Sequence, residues 1–214
     1  MSTKLKIQSP RIPGGLEHIH VDEHLQDKET ISLGTIEDCE IAEISADKTS
    51  FEQVVFKNVT FLDVTLPFAE LTDVVFEKCD LSNVDFSEAI IHRVEMKNCK
   101  LMGMNMAGAT LRDVTFDSCM ANYASFGYAD FKQVQLNDCS LSHAEFYEST
   151  FKKIHFNQCQ LDQASFANVD LQGIDLSSCQ FDSLAVSLDK LEGCVIAPEH
   201  AEGFARALGL VLQE

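Results

Sequence analysis

The sequence predicts an all-β chain wound as a stacked, four-sided coil, and three observations carry that expectation. Every position from 31 to 196 whose number ends in 1 or 6 is apolar, 34 of 34, an outcome with chance odds on the order of 10^-12. Two residues earlier in each unit lies a second selected site, held by residues such as Val54, Val74, Ala89, Val114, Ala144, Ala164 and Ile174. Cys79, Cys99, Cys119, Cys139, Cys159 and Cys179 recur every 20 residues, which makes four five-residue units per circuit.

Inward offsets of 2, 3, 2, 3 match neither the 3.6 of a helix nor the plain 2 of a strand. The two-residue step is extended backbone with side chains i−2 and i on one side. The three-residue step must contain a bend that brings the next pair inward. Thirteen of the 15 Phe residues fall in the large column, so one bulky group per wall fills the axis. Backbone hydrogen bonds then stack each coil on the last. At ~4.8 Å per layer, about eight coils make a rod roughly 40 Å long.

A stacked coil exposes hydrogen-bonding edges and apolar side chains at both ends, so caps are expected. Residues 1–30 lack the full repeat and hold Pro10, Pro13, Gly14 and Gly15; they predict an N-terminal arm leading into a cap. Residues 31–197 are the repeat. Residues 198–214 open on Pro198, Glu199 and Glu202, a helix start with acids at the positive end of the dipole. Ala201, Phe204, Ala205 and Leu208 share one face, Gly209 ends the helix, and Leu210-Val211-Leu212 follows as an apolar tail. This segment is expected to plug the last coil. Phe204, Leu208, Leu210 and Leu212 are the candidate contacts of a twofold dimer.

The units resemble the pentapeptide repeat proteins, whose consensus A(D/N)LXX is seen in ANVDL (167–171), AELTD (69–73) and CDLSN (79–83). The resemblance implies a right-handed quadrilateral β-helix. It also implies, from the members that act on DNA gyrase, a C-terminal helix that joins two rods end to end. The chain is similar in these respects to Qnr-like and mycobacterial gyrase-modulating proteins. Gram-negative Qnr proteins interrupt the coil with projecting loops, whereas the register here runs unbroken from 31 to 196.

The formal net charge is −18, from 34 acidic and 16 basic side chains. Such a surface repels nucleic acid and anionic lipid, so the expected partners are basic surfaces, including proteins that normally grip DNA. The opening MSTKLKIQSPRIPGG has no apolar core of a signal peptide, and no run approaches a membrane span, which predicts a cytoplasmic protein. No GxSxG, Walker or HExxH sequence occurs, and a filled coil offers no cleft. The expectation is therefore no enzyme, no cofactor and no small-molecule substrate.

Candidate chemistry is sparse. The cysteines form no CxxC pair and follow the coil period, which predicts small buried core residues, Cys39 and Cys194 among them. The stretch EHIHVDEH places His18, His20 and His24 among acids, either a divalent-metal site or plain surface residues. His92, Arg112, Lys132 and Lys152 form a basic column with Arg93 and Lys153 beside it. Pro67-Phe68, Ala107-Gly108, Gly127-Tyr128, Tyr147 and Ala167 give one wall a weakly polar exterior suited to docking or to ordinary surface scatter.

Acids concentrate toward the N-terminal portion, with 18 Asp or Glu against four Lys over residues 17–88. Glu43, Asp63, Asp73, Glu77, Asp80, Asp85 and Glu88 are the candidate partner-binding surface. A 40 Å duplex carries roughly 24 phosphate charges, within a factor of two of this chain's charge. Together with the resemblance, this leads to the expectation of a DNA mimic that binds DNA gyrase or topoisomerase IV, inhibiting it or protecting it from fluoroquinolones. The alternative is a protein-interaction scaffold with another partner.

Overall fold

The computed structural model describes residues 6–20, 25–207 and 209–211. Twelve strands run in chain order: β1 (Glu17–His18), β2 (Thr30–Glu37), β3 (Glu40–Ala42), β4 (Ser50–Lys57), β5 (Thr60–Leu62), β6 (Glu70–Glu77), β7 (Ile90–Lys97), β8 (Thr110–Asp117), β9 (Asp130–Asn137), β10 (Thr150–Asn157), β11 (Ala164–Phe166) and β12 (Leu184–Val186). One parallel sheet orders them β1-β2-β4-β6-β7-β8-β9-β10, and β3-β5 and β11-β12 pair on other walls. From β2 onward the register step is 20 residues, as in Phe51↔Leu71, Ile91↔Leu111 and Phe116↔Leu136, while the capping strand β1 pairs with β2 at a step of 17, Glu17↔Gly34. The chain is a parallel β-solenoid of about eight four-sided turns.

Wall A carries Phe51, Leu71, Ile91, Leu111 and Phe131 inward; wall B carries Phe56, Phe76, Met96, Phe116 and Leu136. Wall C carries Phe61, Leu81, Leu101, Ala121 and Leu141, and wall D Leu66, Phe86, Met106, Phe126 and Phe146. Phe116, Phe146 and Phe156 all point into the axis and are buried. On wall D the repeated Phe rings stack, Phe126 on Phe146 at 5.1 Å and Phe146 on Phe166 at 4.9 Å, with planes within 8° and 2°, whereas Phe131 and Phe151 on wall A meet edge-on at 5.3 Å. Each full-length strand of the long sheet covers walls A and B and turns between them without leaving the ladder.

The bend falls two residues after each large inward residue. From Lys28 to Asn168 every fifth residue has φ between +50° and +70°, glycines Gly103 and Gly108 included. Left-handed backbone at residues such as Leu33, Phe68, Arg93 and Tyr123 is locally unfavourable. It persists because the corner lets both flanking walls bury their side chains and keep their hydrogen bonds with the coils above and below.

Both ends are covered, and the N-terminal segment holds both a cap and an arm. Residues 17–19 and 25 form the cap: β1 pairs with β2, and Ile19 lies over Gly34, where any side chain would collide with it. Ile19 and Leu25 pack against the core. Residues 6–11 precede that cap and descend toward it. They run outside the rod along the corner between walls A and B, crossing several coils (below). At the far end a 3-10 turn, Pro198–His200, continues into helix α1 (Ala201–Ala207), and Gly209 at φ +79° closes it by bonding to the Arg206 carbonyl. His200 is buried on the Phe181 ring at 4.1 Å, Phe204 meets the same ring edge-on at 6.1 Å, and Gly203 lets the helix press on the Asp182 carbonyl.

Candidate interaction surfaces

The sequence-predicted acidic surface divides on inspection. Glu43, Asp63 and Glu88 stand exposed at corners. Glu77, on wall B, is half-buried. Asp80 accepts from Lys100 Nζ at 3.2 Å and from the Ser82 N–H, and Asp85 accepts from Asn105 Nδ2 at 2.9 Å and the Ser87 N–H. Both are partly spent on holding their neighbours. Asp73 does not belong to the open surface at all. Its side chain is 7% exposed, and the Arg93 guanidinium from the next coil grips both oxygens, Nε to Oδ1 at 2.5 Å and Nη2 to Oδ2 at 2.6 Å. Hydrogen bonds from Arg93 hold its carboxyl below the usual range against the opposing effect of burial, and the Arg11 N–H adds to them.

The seven acids thus spread over all four walls rather than along one line.

The N-terminal arm also lies on the buried charge at the A/B corner. The Arg11 N–H donates to Asp73 Oδ1 at 2.9 Å, and the Gln8 N–H donates to Asp113 Oδ1 at 3.0 Å. Gln53 Nε2 donates to the Arg11 carbonyl and Gln133 Nε2 to the Lys6 carbonyl, both at 2.9 Å. Residues 53, 73, 93, 113 and 133 form one corner column, so the arm is laced to successive coils. Sequence reasoning missed this contact. Its one visible signal is the pair of opposite charges 20 residues apart, Asp73 and Arg93, which stacking must bring together.

Asp113 is more awkwardly placed. Its side chain is fully buried, and among the described residues Oδ2 has no hydrogen-bond partner. Arg112 Nε and His92 Nε2 stand 3.7 and 3.9 Å away. Burial, then Arg93 and Arg112, push the His92 pKa down, so this ring is neutral at pH 7. The basic column is confirmed in register, His92↔Arg112↔Lys132↔Lys152, and Lys152 pairs with Asp130 at 3.2 Å.

On wall D the predicted weakly polar exterior is real. Tyr123, Tyr128 and Phe68 are 60%, 62% and 46% exposed, at the two corners that flank the wall. Tyr123 stacks on His143 at 4.7 Å and Tyr128 meets Tyr147 edge-on at 5.4 Å. On wall B, past the end of β10, a shallow depression of about 360 Å³ is lined by Gln135, His155, Asn157 and Asp175. Asp175 there is already tied to the Ser177 hydroxyl and N–H.

The column from Cys79 to Cys179 is buried and its thiols are free. Cys99, Cys119, Cys139 and Cys159 each donate to a carbonyl 23 residues earlier, Cys119 to Met96 at 3.3 Å for example. The neighbouring thiol and burial push Cys79 and Cys179 well above the usual thiol range, so both stay protonated. Two cysteines depart from the core expectation: Cys39 is exposed because the first coil leaves it uncovered, and Cys194 is half-buried in the last. His18 and His20 are exposed, their rings 4.6 Å apart; His24 lies outside the described residues. Of the dimer candidates, Phe204 is turned onto Phe181, Leu210 is 57% exposed, and Leu208 and Leu212 lie outside the described residues.

Comparison with known proteins matches this geometry to one family. Residues 69–146 and 129–199 match the family described as pentapeptide repeat region. The chain is 50% identical over 209 residues to the uncharacterized protein YisX of Bacillus subtilis (strain 168), covering 98% of this chain and 99% of that one. Among solved structures it is similar to HetL, a pentapeptide repeat protein involved in heterocyst differentiation regulation in Nostoc sp. strain PCC 7120. That match has 18% identity, covers 80% of this chain and 84% of that one, and has a TM-score of 0.45. It is also similar to a trypsin-treated variant of QnrB1, a plasmid-mediated fluoroquinolone resistance protein, with 16% identity, coverage of 84% and 99%, and a TM-score of 0.45. With a 20-residue circuit, four filled walls and a family match over more than half its length, the chain belongs to the pentapeptide repeat family.

Proposed function

We propose that this protein is a non-enzymatic acidic rod that docks, as a mimic of duplex DNA, in the basic DNA-gripping saddle of a type II topoisomerase, DNA gyrase or topoisomerase IV. The observation that carries the reading is a solid, unbroken rod bearing a net charge of −18. Its length of roughly 40 Å puts that charge within a factor of two of duplex charge density. Glu43, Asp63 and Glu88 stand exposed at corners, where side chains reach furthest from the axis. Docking would occupy the enzyme's DNA path, modulate it, and give fluoroquinolone resistance where bound drug–DNA complexes are displaced. The test is gyrase supercoiling with the protein titrated in, with and without ciprofloxacin, across a salt series. The expected result is inhibition or drug protection that weakens steeply as salt rises, because exposed charge carries the contact. No effect at large molar excess overturns the reading.

The same proposal includes a cytoplasmic, twofold dimer formed through the C-terminus, since Leu210 and Val211 follow the cap 57% and 89% exposed. Light scattering at micromolar concentration is expected to give twice 23.8 kDa, and Leu210→Glu to give the monomer. A monomer mass for the unaltered chain removes the dimer. The exposed Tyr123, Tyr128 and Phe68 favour a second reading, a protein-interaction scaffold with a partner other than a topoisomerase. A silent supercoiling assay selects it.

A further inference from the structure

We infer that the part of wall A and of the A/B corner spanned by β8 to β10 is a docking patch for a short acidic segment of a partner protein, gripped by Lys6, Arg112, Lys132, Lys152 and Lys153. The patch does not depend on the topoisomerase reading, which uses the exposed acids; a basic saddle would repel this face and leave it free.

The solenoid itself gathers these cations. Arg112, Lys132 and Lys152 stand in register on successive strands, and Lys153 is the corner residue beside Lys152. Lys6 comes from the arm: Gln133 Nε2 donates to its carbonyl at 2.9 Å, which sets it beside the coil of Lys132. All five residues are exposed. From first coil to last they cover two layers, about 9.6 Å. Five of the chain's 16 Lys and Arg therefore crowd into a small area of a rod whose net charge is −18.

Nearby carboxylates leave most of that charge unanswered. Asp130 pairs with Lys152 at 3.2 Å, and the buried Asp113 lies 3.7 Å from Arg112 Nε. Lys6, Lys132 and Lys153 have no ion pair among the described residues. Arg93, one coil earlier, is held by Asp73. His92 feels the positive field: its pKa is lowered by burial and then by Arg93 and Arg112.

Charge and length set the class of occupant. A cationic patch is complemented by an anionic partner surface. Along wall A the surface turns acidic again on both sides, with Glu52 and Glu70 toward the N-terminal end and Asp170 on the coil after β10, all exposed. A nucleic acid strand or other long polyanion laid along the rod would run against these groups. Three or four extended residues, advancing about 3.3 Å each, stay within the patch. The contact is made by exposed side chains, so it is steered by charge, modest in strength and sensitive to salt.

The test titrates full-length protein into a rhodamine-labelled peptide, GDEDEDEG, and reads fluorescence anisotropy at low salt. The expected result is saturable binding below millimolar protein, weakened several-fold as salt rises to about 0.15 M, with no binding of the uncharged GSQSQSQG. Lys132→Glu with Lys153→Glu should weaken binding at least tenfold, and Lys6→Glu alone about threefold. Lys57→Glu with Lys78→Glu is the matched control. It changes the net charge equally on another part of the rod and should weaken binding only about twofold. All five of these lysines are exposed, so each variant should keep its melting temperature. Four results would overturn the proposal: no binding to the unaltered chain at millimolar concentration, equal weakening by the two paired variants, indifference to Lys6→Glu, or a single-stranded oligothymidylate of equal charge binding as tightly as the peptide. The last would make the patch a general polyanion site.

Discussion

Phe146→Ala is expected to lower stability by about 3–5 kcal/mol, the range for emptying a buried aromatic site. The ring sits between two parallel neighbours, Phe126 at 5.1 Å and Phe166 at 4.9 Å, with Phe131, Phe151 and Phe156 at 5.8–6.0 Å around it. None of these can close the gap, since each is fixed by its own coil's backbone ladder. In a solenoid every coil rests only on its neighbours, so a void at one level uncouples the levels on either side. For a chain of this size each kcal/mol moves Tm by about 2–4 °C, so the fall should be on the order of 10 °C. Tyr147→Ala is the matched control. It is the next residue in the chain, but it points outward, and its change should stay within about 0.5 kcal/mol. Equal losses at 146 and 147 in a thermal melt would show that the axis is not what holds the rod together.

The contrast between those adjacent residues is also what the sequence makes legible. A wall position is repeated dozens of times, so the phase of Phe146 is fixed by every other member of its column. The corner conformation is less visible. Leu33, Phe68, Arg93 and Tyr123 have no preference for left-handed backbone, and they take it because stacked walls on both sides impose it. Asp73 and Asp63 look alike in sequence, yet one is buried and the other exposed. The difference comes from Arg93, which grips Asp73 from the next coil, and from the arm, which covers that corner. That contact links residues 62 and 105 positions apart through main-chain N–H groups, which leave no side-chain signature. The acidic character of the surface was readable from composition. Its distribution was not, because which acids are free depends on pairings such as Lys100 with Asp80 and Arg93 with Asp73.

Asp73→Ala should be as damaging as the loss of a core ring, for an electrostatic reason. It strands the Arg93 guanidinium, whose side chain is 12% exposed, without its counter-charge, and breaking such a pair from one side costs about 3–5 kcal/mol. Asp73→Ala combined with Arg93→Met should recover most of that loss, since an apolar pair of similar bulk leaves no charge to solvate. The pH dependence follows from the depressed carboxyl. Its folded pKa lies below its unfolded value, held there first by Arg93 and then by the Arg11 N–H, against burial. The carboxylate therefore stabilises the fold fully above the unfolded pKa of about 3.9, and the contribution is lost as pH falls through the folded value. His92, whose pKa burial and then Arg93 push down, is common to both chains, so the gap between them reports on Asp73. The Tm gap between the unaltered chain and Asp73→Ala should be constant above about pH 5 and close as the solution is acidified below about pH 4. A gap that stays open to pH 2 would mean that Asp73 holds Arg93 by shape and not by charge.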